Sequence, residues 1–185
     1  EKVDNHWMKT GNHKEYWSLN TFNMQLECLV QIARGMEYLH NNKIIHRDLK
    51  PSNVLVSIVD GSFMYKICDF GLSYKFINVD DSEELEDEKS KLEGGLGTAV
   101  YMAPEMMDES AGAALKEYPF KCDIYSYGIL AHEVLTYKPY RIKGSYFAIS
   151  TAVVVDGKRP NIVEEIAKKL RDSKQVKEEE EKSEQ

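Results

Sequence analysis

The run His46-Arg47-Asp48-Leu49-Lys50-Pro51-Ser52-Asn53 places a carboxylate, an ammonium and an amide within six positions, and a second carboxylate follows in Asp69-Phe70-Gly71. Side chains of these types suit work on an anionic substrate. A carboxylate can accept a proton from an attacking group, a lysine supplies positive charge, and amide and carboxylate oxygens are donors for a hard cation such as Mg²⁺. A third short motif, Ala103-Pro104-Glu105, comes later in the chain. Any one of these motifs is weak evidence by itself. A lone Asp after an Arg is by default a solvated loop residue, and only the neighbours of Asp48 argue for more.

Holding such groups in place requires rigid elements on both sides of the loop. Leu29, Ile32, Met36 and Leu39 recur at spacings of three and four, with Leu26, Val30 and Ala33 on the neighbouring stripe, which predicts an amphipathic helix. Thr21 is its expected N-cap; Asn41-Asn42 ends it, and Ile44-Ile45 is expected to be extended. Residues 54–59 and 63–68 flank Asp60-Gly61, a pair that tolerates the positive φ of a hairpin turn. The loop at 47–53 is therefore expected between a helix and a hairpin.

After Gly71 the chain turns polar, and Gly94-Gly95-Leu96-Gly97 reads as a mobile loop. A second helix is expected over about residues 121–136. Its apolar residues Ile124, Tyr125, Ile129, Leu130, Val134 and Leu135 cover more than one face, as in a central buried helix. A last helix is expected from Ile162 to about Leu170. Residues 1–20 show no clear periodicity and read as a short helix or loop, with Trp7 and Trp17 as packing residues.

The length of 185 residues is that of one ordinary domain, and 42% hydrophobic with 30% charged residues argues for a core and against a disordered, collagenous or coiled-coil chain. The net charge of -7 is local. Residues 80–88 carry seven carboxylates and no base, more simply read as a solvated insertion than as a docking site; without them the balance is near zero, so no basic face supports a nucleic-acid partner. Cys28, Cys68 and Cys122 are widely spaced, which argues against a disulfide framework or a zinc site. No run approaches the roughly 20 apolar residues that span a bilayer. A signal pattern is also missing from residues 1–20, so the expected location is cytoplasmic, or nuclear.

In their order and spacing the three motifs resemble those of the eukaryotic protein kinases. The resemblance covers about residues 18–170 and implies an α+β fold, mainly α with short β-hairpins, that is the C-terminal large lobe of a kinase-like fold with the small lobe absent. Residues 1–17 would be a lead-in segment near the hinge. Residues 18–170 would be the large lobe, incomplete at its C-terminal end, with an acidic activation-loop insertion at 79–93, and 171–185 a charged, disordered tail.

The implied activity is transfer of the γ-phosphate of ATP, with Mg²⁺, to Ser/Thr hydroxyls of protein substrates, a reaction that depends on positioning and charge neutralisation. By resemblance Asp48 orients the attacking hydroxyl and accepts its proton, Lys50 lies beside the γ-phosphate, and Asn53 and Asp69 ligate Mg²⁺. Leu55 would lie under the adenine ring, and Thr98 would bond Asp48 and Lys50. His46 and Phe70 resemble the lower pair of an apolar stack, and Asp123 resembles the anchor of the catalytic loop's backbone. The residues Lys50 and Gly97-Thr98 look like those of serine/threonine kinases. The stretches Tyr125-Ser126-Tyr127-Gly128-Ile129-Leu130, Pro139-Tyr140 and Gly157-Lys158-Arg159-Pro160 look most like the tyrosine-kinase-like group of these. Arg47 raises the prospect of activation by a phosphate on the mobile loop, with Ser73, Ser82, Ser90 and Thr98 as the available hydroxyls.

The resemblance also marks what these residues lack. A complete kinase domain has about a hundred more residues upstream, carrying a Gly-rich loop over the phosphates and a Lys paired with a helix Glu; residues 94–97 follow Asp48 and cannot be that loop. A final helical segment that supplies an arginine to Glu105 is not present, and Arg159 belongs to an earlier motif. Each lost charge-stabilising donor costs about 3–4 kcal/mol of transition-state stabilisation. The 185 residues alone are therefore expected to be inactive. The missing small lobe, expected in cis, would leave an apolar face that promotes association. The alternative reading is a truncated kinase-like lobe that binds a regulatory partner without catalysis.

Overall fold

The structure, a computed structural model, describes residues 19–75, 98–107, 119–161, 163–168 and 171. The expected lead-in segment, acidic insertion, glycine-rich loop and, apart from Arg171, the tail lie outside them. Helix α1 (Leu19–Asn41) buries Cys28, Leu29, Ile32, Met36 and Leu39, one stripe at helical spacing. Leu26 and Val30, 41% and 48% exposed, turn to solvent together with Ala33. The second stripe expected from the sequence is thus exposed among the described residues. Thr21 lies inside the helix and so cannot be its N-cap, which needs non-helical backbone.

Lys43, with φ of 60°, takes the chain out of α1 into strand β1 (Ile44–Ile45). Strand β2 (Val54–Val59) pairs antiparallel with β3 (Ser62–Ile67), in a register that runs from Val54 opposite Ile67 to Val59 opposite Ser62. Asp60 and Gly61 between them have φ of 50° and 78°, as a two-residue turn of type I′ requires. Strand β4 (Tyr74–Lys75) returns to pair antiparallel with β1. The open edge of β3 is covered by a side chain: Gln31 of α1 donates to the Phe63 carbonyl at 3.1 Å and accepts from the Tyr65 N–H at 2.9 Å. This amide stands where a neighbouring strand would otherwise pair.

Helix α2 (Lys121–Thr136) is central, with Cys122, Asp123, Ser126, Ile129, Leu130, His132, Glu133, Val134 and Thr136 all buried. It ends at Tyr137, a left-handed residue whose N–H bonds the Glu133 carbonyl at 2.8 Å. Leu130 and Val134 pack with Leu29, Ile32 and Met36 of α1, and with Leu49 and Val54, in one apolar cluster. A second cluster joins Ile45 and Cys122 to Met102, Ala103, Met106 and Met107, and to Ile149 and Val153. Met106 lies in the second of two 3₁₀ turns (Ala99–Tyr101 and Pro104–Met106), Met102, Ala103 and Met107 flank these turns, Ile149 belongs to helix α3 (Tyr146–Ser150) and Val153 to the π turn that continues it (Thr151–Val155). Residues 163–168 form α4, within the last helix the sequence predicts. Among the described residues no helix is long and apolar enough to cross a membrane.

The sequence places both Ile124 and Leu130 among the apolar residues of a buried helix, yet Ile124 is 55% exposed and Leu130 is fully buried. Leu130→Ala should therefore cost about 2–5 kcal/mol of stability, whereas Ile124→Ala should cost less than about 1 kcal/mol. Urea unfolding of the two variants beside the parent checks both values.

Candidate active site

The site begins with an aspartate on α2 that has left water. Asp123 is 1% exposed. Its Oδ2 accepts the His46 N–H and its Oδ1 the Arg47 N–H, both at 2.9 Å, and Oδ2 also meets His40 Nε2 at 2.9 Å. Three donors thus replace the water the carboxylate gave up. Arg47 has φ of 64°, a conformation that costs a non-glycine residue of order 1–3 kcal/mol. The two N–H bonds to Asp123 hold it there.

His46 carries the same tie towards the hairpin. Its Nδ1 accepts the Asp48 N–H at 3.3 Å and its Nε2 lies 3.1 Å from the Cys68 carbonyl, so the ring hydrogen is assigned to Nε2. The Cys68 N–H in turn bonds the Asn53 carbonyl at 2.9 Å. Asp69 follows directly in a left-handed conformation, φ 66°. The Phe70 ring meets the His46 ring edge-on at 5.3 Å.

Asp48 is the hub of the polar cluster. Its Oδ2 accepts Lys50 Nζ at 2.7 Å and Asn53 Nδ2 at 3.0 Å, and its Oδ1 accepts both the N–H and the hydroxyl of Thr98 at 3.1 Å. Lys50 Nζ also donates to Thr98 Oγ1 at 2.7 Å. Burial pushes the Asp48 carboxyl up, but the hydrogen bond and charge of Lys50 and the bonds from Thr98 outweigh it, and the group lies below the usual carboxylate value. Asp48 is therefore an anion at neutral pH, with each of its two oxygens accepting two hydrogen bonds.

The structure thus brings Asp48, Lys50, Asn53 and Thr98 together, with Asp69 joined to Asn53 through Cys68. Leu55 stands apart on β2, half-buried and on the opposite face of the strand from Val54 and Val56. The Mg²⁺ implied by the resemblance fits the donors present. Both bonds of the Asn53 side chain are donated by Nδ2, to Asp48 Oδ2 and to the Asp48 carbonyl, which leaves Oδ1 for another partner. Asp69 offers an exposed carboxylate. No cluster of three or more His, Cys, Asp or Glu suited to a metal occurs among the described residues. Two oxygen donors suit Mg²⁺, which takes one or two protein ligands and fills its shell with water and phosphate oxygens.

The segment from Thr98 to Met107 is held from α2 as well. Ser126 Oγ donates to the Tyr101 carbonyl at 2.8 Å, and the Tyr101 hydroxyl donates to Glu133 Oε1 at 2.9 Å. The Tyr140 N–H donates to the same oxygen at 2.8 Å. Burial raises the Glu133 carboxyl above its usual value despite these bonds. Neither His40 nor Glu133 is singled out by the sequence, since each acts through a partner more than 30 residues away.

Two expectations meet a different local picture. Arg47 donates from Nε to the Leu72 carbonyl and lies 5.9 Å over the Tyr74 ring, so its guanidinium is engaged by the chain after Gly71. Of the candidate hydroxyls, Ser73 bonds the His46 carbonyl at 3.4 Å and Thr98 is committed to Asp48, while Ser82 and Ser90 lie outside the described residues. Arg159 donates to the carbonyls of Val153 and Lys158 and stacks 5.2 Å over Tyr125, a set of contacts that does not include Glu105.

Two measurements test these anchors. Asp123→Ala strands three donors, each worth about 1–3 kcal/mol when buried and unpaired, and should cost about 3 kcal/mol or more in urea unfolding. It should also speed hydrogen exchange at the His46 and Arg47 amides. The raised Glu133 carboxyl holds its proton more tightly folded than unfolded, so it costs stability as pH rises from about 4.5 through its folded pKa. Glu133→Gln keeps the acceptor oxygen but not the charge. The unfolding free energy of this variant, relative to the parent, should increase between about pH 4 and about pH 8.

Residues 8–179 match the family model described as the protein kinase domain. The chain is 37% identical over 142 residues to probable serine/threonine-protein kinase roco6 of Dictyostelium discoideum, covering 74% of this chain and 6% of that protein. To serine/threonine/tyrosine-protein kinase HT1 of Arabidopsis thaliana it is 38% identical over 125 residues, with 68% and 27% covered. To mitogen-activated protein kinase kinase kinase 7 of Homo sapiens it is 36% identical over 148 residues, with 77% and 21% covered. The chain thus spans less than a third of the length of these relatives. Among solved structures, the yeast RNA Pol II CTD kinase CTDK-1 complex matches with a TM-score of 0.53 and 26% identity over 70% of this chain and 37% of that one. The family model covers most of the chain and the solved-structure likeness carries the same fold, so the chain belongs to the protein kinase domain family.

Proposed function

We propose that residues 18–170 are the large lobe of a serine/threonine protein kinase, which transfers the γ-phosphate of ATP to Ser/Thr hydroxyls of protein substrates. The observation that carries this reading is the Asp48 carboxylate, ionised and held on one side by Lys50 and Asn53 and on the other by Thr98. Asp48 orients the substrate hydroxyl and accepts its proton. Lys50 neutralises charge beside the transferring phosphate. Asn53 Oδ1 and Asp69 are the ligands that hold Mg²⁺, and Leu55 is the apolar floor for adenine. Bound Mg²⁺ supplies charge neutralisation on the phosphate oxygens. Thr98, bonded to Asp48 and Lys50 together, fixes the segment on which a substrate hydroxyl rests and supports the serine/threonine assignment.

Catalysis requires groups that the resemblance places in a small lobe, namely a glycine-rich loop over the phosphates and a lysine paired with a helix glutamate, and these 185 residues do not carry that glycine-rich motif ahead of Asp48. The short chain alone is therefore inactive. In the longest native polypeptide carrying this segment, Asp48→Asn should lower phosphate transfer from Mg-ATP to protein by about 10²–10⁴-fold, with urea unfolding showing that the variant is folded. Transfer at the parent's rate would remove Asp48 from the chemistry and favour a binding role for the lobe.

A further inference from the structure

Between α1, the β2–β3 hairpin and the C-terminal half of α2 lies a cavity of about 620 Å³, within the roughly 300–1,000 Å³ of small-molecule sites. Met24 and Cys28 line it from α1, Val54 and Val56 from β2, and Leu130 and Val134 from α2. Among the described residues that line it there is no Asp, Glu, Lys, Arg or His. Burial pushes the Cys28 thiol and the Tyr65 phenol, both on the cavity wall, up to about 12, so each is neutral at neutral pH. An ion entering this space would give up its water and meet no countercharge, which excludes a charged occupant.

One wall is polar and incomplete. Gln25, 5% exposed, lines the cavity and donates from Nε2 to the Val134 carbonyl. A carbonyl only accepts, so the amide cannot be turned over. Gln25 Oε1 is buried without a hydrogen-bond partner, and among the described residues it is the one side-chain atom on the cavity wall in that state. The oxygen has lost its water and stays uncompensated until a donor reaches it. An ether or carbonyl oxygen brought there would only meet a second acceptor. An amine would arrive charged, and an amide would bring a carbonyl in need of its own donor. A hydroxyl supplies the missing donor without charge.

We propose that this cavity binds a neutral apolar alcohol or phenol, a small molecule whose single hydroxyl donates to Gln25 Oε1 while its hydrocarbon body packs against Met24, Cys28, Val56 and Leu130. Seated there, the molecule covers the face of β2 opposite Leu55. The inference is independent of the kinase reading, because it rests only on the walls of the space between α1, the hairpin and α2.

The probes are β-naphthol and β-methylnaphthalene, which have nearly the same shape and differ in that only the first donates an O–H. Titrated into the full 185-residue protein, each should saturate one site, read from the methyl NMR signal of Met24 on the cavity wall. The signals of Met102, Met106 and Met107, in the other apolar cluster, should stay in place. Met24→Leu assigns the signal. Gln25→Leu, which keeps the size of the side chain but removes the acceptor, should weaken β-naphthol by at least about tenfold relative to β-methylnaphthalene, with urea unfolding showing that the variant is folded. Val155→Arg, a change at an exposed position that does not line the cavity, should leave both affinities unchanged and serves as the control. In the parent itself, nuclear Overhauser contacts should run from the naphthol ring to the methyls of Met24 and Val56, a reading that needs no variant. A parent that saturates with neither probe, equal shifts at Met24 and Met106, or a relative affinity for β-naphthol that survives Gln25→Leu would overturn the proposal. So would a Met24 signal that moves with protein concentration in the absence of probe, since a second copy of the chain would then be the occupant.

Discussion

A carboxylate taken out of water is stable only when donors replace its hydration, and in this protein that constraint falls on Asp123. Its three donors come from the last turn of α1 and from two successive backbone N–H groups of the loop that follows β1. One side chain therefore ties α2, the end of α1 and the start of the catalytic loop to a single point. The left-handed turn at Arg47 is tolerated because its N–H is held there. Asp48 then begins from a backbone that cannot drift. The bond from its N–H to His46 Nδ1 extends the tie, and His46 Nε2 carries it to Cys68 and so to Asp69.

A second set of bonds from α2 does the same for the segment that carries Thr98. Ser126 and Glu133 are seven residues apart, which puts them on nearly the same face of the helix about 10 Å apart. Tyr101 lies along that face, its carbonyl bound by one and its hydroxyl by the other. The two loops that meet at Asp48 are thus positioned by a single helix. Their meeting is electrostatic: one carboxylate is shared by an ammonium, an amide, a hydroxyl and a backbone N–H. Lys50 and Thr98 keep Asp48 ionised although it is buried, while Glu133, with neutral donors bonded to it, is raised instead. Two buried carboxylates shift in opposite directions: the bond and charge of Lys50 with the bonds of Thr98 outweigh burial at Asp48, whereas burial outweighs the Tyr140 and Tyr101 bonds and the charge of Arg141 at Glu133.

Local pattern carried much of the fold. The α1 stripe from Leu29 to Leu39, the turn at Asp60-Gly61 and the extent of α2 follow from helical spacing and from residues that accept positive φ, both short-range properties of the chain. The same reasoning assigned Leu26, Val30 and Ile124 to buried stripes, and it failed there because hydropathy marks what can be buried, not where a neighbour will be. Thr21 misled as a cap because α1 is already helical before it.

The sequence by itself determined which residues are candidates for the site: Asp48, Lys50, Asn53 and Asp69 are legible because their spacing along the chain is short and specific. Thr98, 50 positions from Asp48, was legible only through its place in a family motif. What the tertiary structure alone decided is the set of side chains that hold those groups still. His40 reaches across 83 positions to Asp123, Glu133 across 32 to Tyr101, and Gln31 across 34 to the edge of β3. No local rule marks a histidine, a glutamate or a glutamine for such work. Each becomes an anchor only when packing removes water from its partner and leaves that partner one bond short.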